Sequence, residues 1–421
     1  MDLRTDSAGN ALLAFNDQRP GTSGGTDLEI SVYRIAPDGT MLWGPNGVQI
    51  TDDTLTNNTA RIAETSDGNF TVVFDRVNSA VANTPPRGLL MQRLDATGNI
   101  LLPAGGVLIA GSGVGGAAAT DGPTFHSMVA GDGDTVIVFY PKDARGFTSA
   151  RRPMIQKYNG QGVGQWNAGN AIELSTGILP FVTYPSIVSD GAGGAVIAWI
   201  DARSGVSLPW VQRLAADGTQ LLTAGGVSAG ETAGQLRFEV TNPVLGPQGE
   251  VYVFWSERDG SQGTRAIYGQ KIDATGVRQW GDTGIPLTPF DTDIEEFIRS
   301  APVECGAAGA IVTYRMPLTG GTNSTVHAIR VDGDGDPVWA SSPLTVSSVL
   351  SSKGRFPITT LADRSVALLW SDNRSDANDL YAMKINTDGT LGGPLLCPAD
   401  FNRSGVVSVQ DIFDYLASYF A

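Results

Sequence analysis

The chain has little of what most catalytic centres are built from. Histidine occurs only at His126 and His327, and neither has metal-ligand spacing or a nucleophile elbow beside it, so the sequence carries no zinc site and no serine-type triad. Cysteine occurs only at Cys305 and Cys397, which excludes a disulfide scaffold; the two can pair in an oxidising compartment if the fold brings them within bonding distance. Basic residues are scarce, 28 against 43 acidic ones, and the formal net charge of −15 excludes the basic face that a nucleic-acid partner requires. An acidic surface suits solubility outside the cell or cation binding. No apolar run is long enough to span a bilayer. The opening Met1-Asp2-Leu3 has neither a basic n-region nor an apolar h-region, so no signal peptide is read here and the chain is either cytoplasmic or a mature form; the C-terminal stretch below favours the mature form.

What is abundant is glycine, 53 residues, alongside only 17% charged residues and no long helix-forming stretches. That balance predicts short strands joined by many tight turns. The stretch from Ser189 to Gly226 shows the unit. A Gly-rich turn (Asp190 to Gly194) leads into the apolar run Ala195 to Trp199, and an acidic-Arg turn follows at Asp201-Ala202-Arg203. A second extended run, Trp210 to Leu214, closes on Asp217-Gly218, where Gly takes the φ > 0 position of a hairpin turn.

The apolar run ending in an aromatic occurs seven times, at Ala11, Thr71, Thr135, Ala195, Val251, Ala310 and Val366, about 55 to 65 residues apart. Each copy has a partner strand, most ending in a basic residue followed by an apolar one, as in Arg34-Ile35, Arg93-Leu94, Lys157-Tyr158 and Arg330-Val331. Neighbouring side chains of a strand face opposite ways, so the basic one is expected in water and the apolar one in the core. A short strand after Gly (Gly47-Val48, Gly284-Ile285) and a brief Pro-led strand (Pro185, Pro243, Pro302, Pro357) complete four strands per repeat. The predicted fold is all-β: a seven-bladed β-propeller over 1–396, with blades at 1–58, 59–124, 125–182, 183–240, 241–299, 300–354 and 355–396. A separate element occupies 397–421. The loops after the second and fourth strands (Asn16 to Asp27, Arg76 to Arg87, Ala110 to Pro123, Asp143 to Arg152, Phe290 to Ile298) vary most and are the expected ligand face.

Three motifs invite functional readings. The acidic-Arg turn recurs in six of the seven repeats (Asp17…Arg19, Asp75-Arg76, Asp143…Arg145, Asp201…Arg203, Glu257-Arg258, Asp372…Arg374). Ligand sites are asymmetric, so this reads as a structural ion pair. Asp332-Gly333-Asp334-Gly335-Asp336 lacks a glycine at loop position six and a closing carboxylate at twelve, and it aligns with the hairpin turns. The Gly111 to Gly116 run precedes no Gly-Lys-Ser and is no phosphate loop. Paired carboxylates converging across blades remain a route to glycoside chemistry that spacing alone does not reveal.

The tail is different in kind. From Cys397 to Asp411 it reads CPADFNRSGVVSVQD, with oxygen donors at loop positions one, three, five, nine and twelve and glycine at six. Calcium takes six or more hard oxygen ligands, which Asp400, Asn402, Ser404, the Val406 carbonyl, Ser408 (directly or through water) and Asp411 would supply. Ile412 to Phe420 then reads as an exiting helix with a wide apolar surface. This stretch resembles one calcium-binding half of a type I dockerin, and more closely the CPADFN tails of secreted proteins of planctomycete-like bacteria. The upstream repeats look like the blades of surface propellers in environmental bacteria. The resemblance implies a Ca2+ cofactor, an extracellular setting and docking to a protein partner or a second copy of the chain. Ser404 stands where the family has Asp, which implies weaker metal binding, and a single loop does not match the paired loops that bind cohesin.

Together these readings lead to a secreted or cell-surface, non-catalytic binding or structural propeller, assembling through its calcium-loop tail into an array or filament. The alternative is an extracellular carbohydrate-active enzyme, or a carbohydrate-binding accessory protein, that holds polysaccharide on the loop face.

Overall fold

The computed structural model describes residues 2–17, 28–36, 38–78, 87–111, 122–123, 125–143, 151–179, 186–231, 236–261, 263–291, 296–302, 309–317, 322–354, 356–360, 365–375, 379–392, 409 and 412–413. The chain divides into two compact units, residues 1–196 with 213–225, and residues 197–212 with 226–420. Among the described residues helix is confined to a 3-10 turn at Asn167–Gly169 and to Val409, Ile412 and Phe413.

The strands form antiparallel four-stranded meanders, as the repeats predict. The first sheet runs Asp2–Thr5, Ala11–Asp17, Glu29–Ile35, Val48–Gln49. The second runs Thr56–Glu64, Phe70–Val77, Arg87–Leu94, Val107–Gly111. The third runs Ser127–Ala130, Val136–Asp143, Arg151–Tyr158, Ile172–Glu173, with Gly122–Pro123 added along its second strand. The fourth runs Ser186–Ser189, Ala195–Asp201, Leu208–Leu214, Val227–Ser228, and the division into units falls inside it. In the fifth, Leu236–Val240 and Val244–Leu245 both pair with Val251–Arg258, which is followed by Arg265–Ile272 and Ile285–Pro286. The fold is a β-propeller.

The expectation of seven separate blades is corrected: the described strands form six sheets. The strand Leu344–Gly354 pairs with Asn323–Asp332 through Ser352, and its last two residues pair with Val366–Asp372 (Lys353 opposite Asp372, Gly354 opposite Ser371). The sixth and seventh repeats therefore share one seven-stranded sheet. Lys353 explains the continuity. Its ammonium is fully buried, donates to the Ser324 and Val349 carbonyls at 3.0 and 2.6 Å and to Ser351 Oγ, and lies 3.3 Å from Asp372. A buried ammonium is costly unless its donors are all engaged, and only a strand that runs from one repeat into the next gathers these acceptors around it. The expected C-terminal loop-helix lies outside the described residues apart from Val409, Ile412 and Phe413, as does the Cys305 and Cys397 pair.

The core sits between neighbouring sheets. Leu12, Ile30 and Val32 of the first sheet pack with Ile62, Phe70, Val72 and Phe74 of the second, and Met91 of the second packs with Met128, Val138 and Tyr158 of the third. Second strands are covered on both faces, which is why Ala195–Asp201 is buried along its whole length. Each fully buried large apolar side chain contributes about 1.5–3 kcal/mol.

A recurring latch joins four of the repeats to the one that follows. Trp43, Trp166, Trp280 and Trp339 donate their indole N–H to the turn carbonyls of Ala96 (3.2 Å), Ala216 (2.9 Å), Gly333 (3.4 Å) and Thr387 (3.0 Å) in the following repeat. The basic residue that ends the third strand donates to the same carbonyl: Arg34 to Ala96 at 3.0 Å, Lys157 to Ala216 at 3.0 Å, Lys271 to Gly333 at 2.9 Å, and Arg330 to Thr387. The expectation that these basic side chains face water is thus corrected. Arg93 and Lys157 are buried: Arg93 donates to Thr65 and Asp67 in the turn of its own repeat and Lys157 to the turn of the next, acceptors that solvent would otherwise provide.

Candidate functional site

The acidic-Arg turns prove structural at Asp201…Arg203 and Asp372…Arg374. Trp199 Nε1 donates to Asp201 at 2.9 Å, and Arg203 Nε donates to the same carboxylate at 3.0 Å while its guanidinium lies 3.6 Å from the Trp210 ring. Trp370, Asp372, Arg374 and Tyr381 repeat the arrangement, with the indole at 3.0 Å and the guanidinium 4.0 Å from the ring. Trp255 donates to Glu257 at 2.8 Å. These carboxylates are buried, so each closes a strand end and presents nothing to a ligand.

The second repeat departs from the pattern. Arg76 turns away from Asp75 and pairs with Asp53 (2.8 Å), donating also to Asn57 Oδ1 at 2.8 Å. Asp75 instead faces His126 Nδ1 at 3.1 Å, while His126 Nε2 lies 3.1 Å from the Val73 carbonyl. An Asp–His pair resembles a catalytic dyad, but this ring is buried and both its nitrogens are occupied, so no atom is left for a substrate. Phe125, just before it, adopts φ +48°, a left-handed backbone that a bulky residue takes only under constraint, and this turns His126 inward. His327 stacks on Tyr314 at 5.6 Å and shares a 2.8 Å hydrogen bond with Thr325. Burial holds its pKa below the ordinary imidazole value. The two histidines belong to different compact units.

At the same end of the first two sheets Glu29 is buried among Thr51, the Asp53 amide (3.0 Å) and Asn57 Nδ2 (3.1 Å). Burial raises its carboxyl above the usual range, with Asp53 and Asp52 adding to the rise and the Thr51 and Asp53 hydrogen bonds opposing it. Of the loops predicted to carry a ligand, those starting at Asn16 and Arg76 begin here; most of their residues, and most of those in the loops starting at Ala110 and Asp143, lie outside those described.

An accessible site opens at the opposite end of these sheets, where inner strands turn into second strands. A cleft of about 510 Å³ is lined by Arg4, Glu64 and Ser66, by Gly131 to Gly133, and by Ser189 and Gly191 to Gly193, all within the first unit. Its side chains are held from beneath. Arg4 Nε donates to Asp2 at 3.0 Å and Nη2 to the Met128 carbonyl at 2.7 Å, which ties the first inner strand to the third; 30% of the side chain is exposed. Burial pushes the Asp2 carboxyl up, but Arg4, Arg61 and the Ile62 amide outweigh it and keep it below the ordinary value. Glu64 accepts from the Ser7 amide and from Ser7 Oγ (3.0 Å). Asp132 pairs with Lys157 and accepts from Thr135 Oγ1 at 3.0 Å, yet 57% of its side chain faces solvent. The Lys157 hydrogen bond, working against partial burial, holds the Asp132 carboxyl below its usual pKa, so it is ionised at neutral pH. Close-set glycines let the backbone line the wall, because a side chain at Gly193 would meet Asp132 at 3.0 Å.

Sequence reasoning missed this cleft, since its parts come from four inner-strand turns that no spacing rule connects. Among the described residues no cluster of three or more His, Cys, Asp or Glu could hold a metal ion. The six predicted calcium ligands, Asp400, Asn402, Ser404, Val406, Ser408 and Asp411, lie outside the described residues. No described helix is long and apolar enough to cross a membrane.

No family model matches the chain, and no curated protein matches its sequence. Among solved structures it is similar to an ulvan lyase, described as a new family of polysaccharide lyase and bound to a glucuronate and sulfated-rhamnose saccharide. The TM-score is 0.51 at 10% identity, covering 91% of each chain. An α-L-arabinofuranosidase from Fusarium graminearum gives 0.37 at 11% identity over 77% of this chain and 91% of its own. An exo-β-1,3-galactanase from Phanerochaete chrysosporium gives 0.36 at 11% identity over 75% and 77%.

Proposed function

We propose that the protein is an extracellular carbohydrate-active β-propeller that captures a polysaccharide in the cleft of its first unit. The observation that carries this reading is the cleft itself: about 510 Å³ of open, hydroxyl- and carboxylate-lined space whose polar groups are braced from below. Sugars are recognised by such pre-positioned hydrogen-bonding groups, because each hydroxyl lost from water must be replaced by a partner. The likeness over 91% of both chains to a saccharide-bound lyase supports the same ligand class.

Capture, and not cleavage, is the role these side chains suit. Glycosidic hydrolysis by two carboxyls needs one of them protonated near neutral pH. Asp132 is held ionised by Lys157, and among the described residues the carboxyl whose pKa is raised, Glu29, is buried at the other end of the sheets. The Ca2+ loop at Asp400 to Asp411 belongs to the same proposal as a separate handle for a partner or a second copy.

Affinity electrophoresis through gels containing a β-glucan, a xylan, a galactan, alginate or carrageenan tests the reading, with reducing-end release measured in parallel. Retarded migration in at least one gel is expected, and it should be lost in the Ser66→Trp, Ser189→Trp double variant, which fills the cleft from its exposed rim. Unretarded wild-type protein in every gel would reject it. Steady release of sugar ends would replace capture with catalysis.

A further inference from the structure

We infer that the ligand of this cleft is an uncharged glycan, and that Glu64 and Asp132 are the residues that turn anionic glycans away. The inference rests on the carbohydrate reading and names the substrate class within it.

The argument is one of local charge. Two carboxylates, Glu64 and Asp132, line the cleft against one guanidinium, Arg4. That guanidinium is already committed, Nε to Asp2 and Nη2 to the Met128 carbonyl, so its charge is largely answered from beneath. The neighbouring cation, Lys157, is buried, pairs with Asp132 and donates to the Gly193 and Ala216 carbonyls at 3.2 and 3.0 Å, so that with Asp2 included three carboxylates stand against two cations. Asp132 keeps its ionised carboxyl in water over most of its surface. A uronate or sulfate entering here would meet like charge at close range, inside a chain of net charge −15 whose field also slows its approach.

The carboxylates nonetheless suit a neutral sugar. Both are acceptors fixed in direction by Ser7 and by Lys157 with Thr135, so a hydroxyl donating to either forms a charge-assisted hydrogen bond without first ordering the side chain. The described lining holds no aromatic ring, so hydrogen bonding and not stacking supplies the recognition. This assigns to the cleft the opposite charge preference from that suggested by the saccharide of the similar lyase.

Isothermal titration in EDTA, which removes divalent bridges, tests the inference with β-glucan, xylan and galactan as neutral probes and alginate and carrageenan as anionic ones. Wild type is expected to bind a neutral probe at least tenfold more tightly than either anionic one at about 20 mM salt, with the gap narrowing at about 0.5 M as charges are screened. Glu64→Gln with Asp132→Asn should tighten anionic binding by about fivefold or more at low salt. Because Asp132→Asn strips Lys157 of its partner, Ser66→Lys with Ser189→Lys provides an independent arm that adds cations at the exposed rim and disturbs no buried pair; the same gain is expected. Wild type that binds alginate or carrageenan as tightly as the neutral probes would overturn the inference and leave glycan capture standing. Wild type that binds none of the five would overturn both.

Discussion

Replacing Gly218 by alanine tests the latch between repeats directly. Gly218 sits at φ +86°, and a Cβ there would stand 2.6 Å from Cγ of Trp166 and 2.9 Å from its Cδ1 and Cδ2. The left-handed backbone alone costs an L-residue about 1–2 kcal/mol. The contact adds an overpacking cost of about 1–3 kcal/mol, because Trp166 cannot retreat. Its indole donates to Ala216 at 2.9 Å and its amide to the buried Gln156 at 2.9 Å. The expected loss is therefore about 2–5 kcal/mol. Gly68→Ala is the control. That glycine occupies a hairpin turn at φ +78°, and a Cβ added there would meet nothing within 4 Å, so only the backbone cost applies. Urea unfolding followed by tryptophan fluorescence gives both numbers from the shift in midpoint. Equal losses for the two variants would show that the glycine is there for its backbone alone, and the packing argument for the latch would fail.

Three further outcomes are expected. Lys353→Ala should lower stability by about 1–3 kcal/mol, because it leaves the Ser324 and Val349 carbonyls without their donor while Asp372 keeps Arg374 and Trp370; a loss within about 0.5 kcal/mol, as for a surface site, would refute the account of the shared sheet. Acid should weaken the fold: burial pushes the carboxyls of Asp6, Asp67 and Asp372 up, but their hydrogen bonds outweigh it and hold all three below the ordinary pKa. A group depressed in the folded state stabilises above its unfolded pKa and loses that contribution as pH falls, so the melting temperature should drop below about pH 4 and Asp67→Asn should flatten the drop. Finally, calcium titration of the full chain should show one site that disappears in the Asp400→Ala, Asp411→Ala variant, and a flat titration of the unaltered protein would end the calcium-loop proposal.

How far the sequence carries can be judged strand by strand. The unit at Ser189 to Gly226 reads correctly because its signals are local: a doubly apolar second strand, a basic-apolar strand end, and a glycine where a hairpin needs φ > 0. The structural reading of the acidic-Arg turn follows from repetition and holds at Asp201 and Asp372. It breaks at Asp75, where the partner is His126 from the next repeat, 51 positions away.

What tertiary structure alone decided shares one physical feature, the meeting of groups from different repeats. Alternation along a strand places Lys157 on the face opposite the core, yet the neighbouring turn arrives there first and buries it. Nothing in the run Leu344 to Gly354 announces that its last two residues will pair with the following repeat; the acceptors around Lys353 make that choice. The cleft is likewise a space bounded by four turns, and a void between distant segments leaves no trace in residue spacing. Periodicity records what each strand needs from its own two faces, and so the sequence by itself determined the repeats and their strands. Which faces are covered by a neighbour, and which stay open to a ligand, was settled only when the repeats packed together.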